Sequence, residues 1–222
     1  MNLIRFFGGL LSLAVLVLGI TTACSGEDTS PAPATVAQSS SSGPSATLRS
    51  DLNRLLAEHV YLAVAATSAA LGGRAREFTA AATALDANSI DLSKTIGAAY
   101  GEAAEAAFLS GWRRHIGFFV EYTQGAATRD ATKKAEAVAG LEQYARELAQ
   151  LLNSANGMAK ADVVSIVGAH AVGLTAVIDA QAAGDEAKAF DGTRAAALHM
   201  HLFADPLAEA TVRKFPDKFR LG

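Results

Sequence analysis

The chain has 222 residues, 49 of them alanine, and none of its five prolines lies between residues 45 and 205. Alanine is the best helix former and proline the worst, by about 3 kcal/mol, which argues against a sheet-dominated fold. A formal charge of −3 gives no basic footprint for nucleic acid, and a single cysteine excludes a disulfide framework or a thiolate-rich metal site.

Residues 1–24 place one cation, Arg5, before an apolar run from Phe6 to Ile20 and then a group of small residues. That run is shorter than the roughly 20 apolar residues a bilayer span needs, and it reads as a secretory signal. It ends Thr21-Thr22-Ala23-Cys24. These four residues resemble the lipobox of bacterial lipoproteins, with Thr21 standing where leucine is usual. The resemblance implies cleavage of the signal and lipidation of Cys24, the alternative being a plain secretory signal that happens to hold a cysteine.

Residues 25–46 are dominated by Ser, Thr, Pro and Ala and contain no large apolar side chain. Such a stretch cannot offset the entropy of ordering, so a flexible tether is expected there. The expectation is an extracytoplasmic domain, residues 47–222, anchored to the cell membrane through its N-terminal lipid.

In that domain apolar residues recur at three- and four-residue spacing, the signature of amphipathic helices. Stripes run through Leu52, Leu55/Leu56, Leu62/Ala63 and Ala66; through Phe108, Trp112, Ile116/Phe119 and Tyr122; and through Val163, Ile166/Val167, Leu174 and Val177. Glycine and asparagine breaks between the stripes predict six helices at roughly 47–70, 76–97, 101–124, 129–153, 159–183 and 186–213. Pro206 should end or kink the last of them.

The six helices read as three copies of one hairpin. His59, His115 and His170 are spaced by 56 and 55 residues, and Leu85, Leu141 and Leu198 by 56 and 57. A fixed period signals stacked supersecondary units. The predicted fold is all-α, an antiparallel helical bundle of about six helices built from three repeated hairpins.

The candidate chemistry is histidine. His59, His115 and His170 each fall on the apolar stripe of their helix, so helical spacing turns them toward the core. A buried imidazole without a partner costs a few kcal/mol. Convergence on a transition metal is one reason to bear that cost three times, and neutral imidazole suits copper, zinc or iron. In Leu198-His199-Met200-His201, residues two apart point about 200° away from each other, which puts His199 inside as a fourth ligand and His201 outside. Ligation needs deprotonated rings, so affinity should fall as pH drops through roughly 6.5. The alternative is that each imidazole is a satisfied core residue of its own hairpin.

No enzyme is expected. Glu-x-x-His, His-Glu-x-x-His, a phosphate-binding glycine loop and a Gly-x-Ser-x-Gly elbow are all missing from the sequence. Glu102 and Glu105 read as helix N-terminal charge.

Leu55-Leu-Ala-Glu-His59, the run from Trp112-Arg-Arg-His115 to Tyr122, Leu198-His-Met-His201 and Lys214-Phe-Pro-Asp-Lys-Phe219 resemble a group of secreted helical proteins of Gram-positive bacteria. Some of that group carry a copper amine oxidase-like label that belongs to a separate fused domain. The resemblance implies the helical fold and no established activity. Three functions follow from the sequence: an envelope lipoprotein that binds copper, zinc or iron for buffering, sensing or delivery; a non-catalytic interaction module that docks an envelope protein; and a carrier of haem or another small ligand.

Overall fold

The first helix, α1, runs Pro44–Leu71 in the computed structural model, which describes residues 43–220. The signal, Cys24 and the tether up to residue 42 lie outside the described residues. The helix starts three residues before the expected position 47, with Pro44 in its first turn, where a missing N–H is no loss and a proline φ is already helical.

Six more helices follow: α2 (Ala75–Tyr100), α3 (Glu102–Thr128), α4 (Ala131–Asn156), α5 (Lys160–Ala183), α6 (Glu186–His199) and α7 (His201–Lys214), with a 3-10 turn at Pro216–Lys218. The described residues form an all-α bundle, as the composition and periodicity predict.

Two breaks differ from expectation. Gly125 does not end the third helix; it is buried inside α3, which runs to Thr128 and stops at Arg129 in the left-handed region (φ 57°). A Cβ at Gly125 would come within 2.9 Å of the Lys134 side chain and 3.1 Å of the Asp130 carbonyl, so glycine there lets α3 and α4 close into a tight hairpin. The expected sixth helix is two helices, broken at Met200 and not at Pro206, which sits inside α7. Proline leaves the Leu202 carbonyl, four residues earlier and inside α7, without its helical donor. At the break itself, Met200 N–H bonds the Ala197 carbonyl at 3.3 Å in a tighter turn.

The hairpins are α1–α2, α3–α4 and α5 with α6/α7. Their first helices contact one another, α1 touching α3 and α5, and α3 touching α5. Each of these inner helices carries one histidine of the repeat, and the inner packing brings the three together. By length and composition α5 is apolar enough to cross a membrane, with a mean hydropathy of 1.8 over its most apolar stretch. Here it packs against α1, α3, α4, α6 and α7.

The repeat holds for two hairpins in its leucines and fails in the third. Leu85 and Leu141 are buried, whereas Leu198 is 70% exposed. Leu202 is also exposed, while its neighbour Phe203 is buried. Met200, where α6 gives way to α7, lies between Leu198 and Leu202.

Candidate functional site

His59, His115 and His170 are all buried, His59 to 0% exposure. The His59 ring centre lies 5.3 Å from that of His115 and 6.2 Å from that of His170. Aromatic rings enclose the group. Trp112, one turn before His115, lies 4.9 Å from His59 and 4.4 Å from His115. Tyr144 of α4 stacks on His115 at 4.8 Å with 17° between planes, and Phe119 meets His115 and His170 edge-on at 6.0 and 6.1 Å.

The polar atoms of this group lack partners. Both ring nitrogens of His59, Nδ1 of His115, Nδ1 of His170 and Nε1 of Trp112 are buried without a hydrogen bond. An unmet buried polar atom costs about 1–3 kcal/mol. A satisfied core histidine, the alternative reading, would spend its nitrogens on backbone carbonyls, and His59 spends neither.

Burial holds all three rings neutral. It is the largest cause in each case, pushing His59 well below the usual value, with His115 and His170 adding to the effect. His115 is lowered to about 3 by burial and then His170, against a weaker opposing pull from the Trp112 backbone. His170 is lowered to about 4 by burial and then His199. No carboxylate contributes to any of these shifts.

His199, expected as a fourth ligand, makes none of these ring contacts. It is half-buried, and its Nε2 donates to the Ile166 carbonyl of α5 at 3.0 Å, which ties α6 to α5 one turn before His170. His201 is exposed and bonds the Leu198 carbonyl, outside as expected. Among the described residues, no three or more His, Cys, Asp or Glu side chains stand ready to hold a metal ion.

The residue that spacing alone passed over is Met200. It is buried, and with His115 and His170 it lines a cavity of about 20 Å³ walled by Trp112 and Tyr144. Its place between two histidines was the available signal, but a helix drawn straight through that position turns its side chain elsewhere. The chain matches no protein-family model, no curated protein and no solved structure.

Proposed function

We propose that this chain is an envelope-anchored lipoprotein whose bundle binds one soft, monovalent metal ion, Cu(I), for buffering or delivery. The observation that carries the proposal is the set of unpaired ring nitrogens on His59, His115 and His170. A metal ion is one partner that can recover their lost hydrogen bonds inside an apolar core.

Charge and donor type select the ion. The cost of burying an ion rises with the square of its charge and is several kcal/mol even for a single charge. With no carboxylate acting on the rings, a divalent ion would remain uncompensated. A monovalent ion avoids most of that cost. Thioether sulfur favours Cu(I), and imidazole also suits copper, so His115, His170 and Met200 around one small cavity form a donor set for it. His59 supplies the third imidazole from the facing helix. Turning the rings about their side-chain torsions would direct the free nitrogens to one point.

A competition titration against a Cu(I) chelator under reducing conditions tests this, using the Cys24→Ser chain so that the thiol does not contribute. One equivalent of Cu(I) should bind, and His115→Leu or Met200→Leu should weaken binding at least tenfold. Zn²⁺ binding as tightly as Cu(I), or no loss in either variant, would overturn the proposal.

A further inference from the structure

One face of α6 has no partner. Ala187, Phe190, Asp191, Arg194, Ala195 and Leu198 recur at three- and four-residue spacing, and all six are exposed although the helix packs on α1 and α5. The outward face of a surface helix is ordinarily charged and polar, but here Phe190 is 69% and Leu198 70% exposed. Four of the six residues, Asp191, Arg194, Ala195 and Leu198, line an open groove against Ala57 and Tyr61 of α1. Tyr61 is itself 53% exposed, so three large apolar side chains meet water in one region.

We propose that this face is a two-fold interface with a second copy of the chain. Charge complementarity carries the argument. Asp191 and Arg194 stand one turn apart in the groove, and among the described residues neither belongs to an ion pair. One free acid and one free base on a single face match themselves under two-fold rotation, because every contact of one residue with another is repeated in reverse. Two α6 helices set antiparallel about an axis between these positions bring each Asp191 opposite the partner's Arg194. The same register sets Phe190 over the partner's Ala195 and Leu198 over the partner's Ala187, so each large apolar side chain meets a small one. Exposed ion pairs add little affinity; here they fix the register, and the aromatic and leucine anchors supply the binding. A different protein would not require this face to match itself in both charge and side-chain size. The interface needs no metal and lies outside the histidine-lined cavity.

Sedimentation equilibrium of the processed, metal-free Cys24→Ser chain, at concentrations up to about 1 mM, reads the association directly. The chain should dimerise reversibly. Phe190→Ala, at an exposed position, should raise the dissociation constant by about tenfold or more. Asp191→Arg and Arg194→Asp should each do the same, by setting like charges against each other across the axis. The exchanged pair, Asp191→Arg together with Arg194→Asp, should return the dissociation constant to within about threefold of the natural value, because the two contacts are reciprocal. A monomer throughout the concentration range would overturn the proposal and leave the face to a different protein. A dimer that ignores these changes, or one that the exchanged pair fails to restore, would overturn it as well, whatever the copper titration shows.

Discussion

The imidazole of His115 lies nearly flat on the phenol ring of Tyr144, centres 4.8 Å apart and planes 17° apart. The pair joins α3 to α4 and covers one face of the His115 ring. Burial also raises the Tyr144 hydroxyl well above its usual value, so both partners are neutral.

Tyr144→Phe keeps the stacked ring and should change stability by less than about 1 kcal/mol. Tyr144→Ala removes a buried aromatic ring and should cost about 3–5 kcal/mol, as large-to-small core changes do. Chemical denaturation of the two variants checks this, and the Tyr144→Ala chain should also bind Cu(I) more weakly because His115 is no longer held.

Acid should destabilise the metal-free fold earlier than carboxylate titration alone would. The unfolded histidines take protons near 6.5, whereas folded His115 and His170 do so only near 3 and 4 and His59 lower than its usual value. Between about pH 6.5 and 4 the unfolded state therefore binds more protons, and stability is lost as pH falls. The slope is about 1.4 kcal/mol per pH unit for each histidine. Denaturation midpoints across this range should fall steeply in the natural chain and less so when the three histidines are leucine.

The same shifts correct the pH dependence expected from sequence. Protons do not compete for His115 or His170 near 6.5 in the folded state, so copper affinity should stay level down to about pH 5. Competition titrations at stepped pH would show a plateau, where unperturbed histidines would show a decline.

His115→Leu should leave metal-free stability unchanged or raise it by up to about 2 kcal/mol, since an unpaired buried nitrogen gives way to apolar surface. Loss of the contact with Tyr144 offsets part of the gain. A thermal melt of the metal-free variant measures the balance, and a drop of several kcal/mol would mean that the imidazole stabilises the core.

The proposed anchor has its own test. Cys24→Ser should move the protein from the membrane fraction to the soluble fraction without altering the helical signal of the domain, because stable attachment requires more than one acyl chain. Continued membrane association of the processed variant would place the attachment elsewhere.

Helical periodicity made most of the fold legible. The Trp112–His115–Phe119–Tyr122 stripe is buried as its spacing requires, and the equal spacing of His59, His115 and His170 corresponds to three inner helices in contact. What periodicity could not carry was the break at Met200. Around it Leu198 is exposed, His199 bonds the Ile166 carbonyl and Met200 lines the cavity beside His115 and His170. Tyr144 was legible as a core residue, but its pairing with His115 depends on the angle between two helices, which no local pattern encodes.

X-ray absorption of the Cu(I)-loaded Cys24→Ser protein tests the central claim most directly, because it reads the atoms bound to the ion. The Met200 assignment predicts one sulfur neighbour together with two or three imidazole nitrogens, and loss of that sulfur in a Met200→Leu chain. A site made of nitrogen and oxygen alone, or a sulfur signal that survives Met200→Leu, would contradict it.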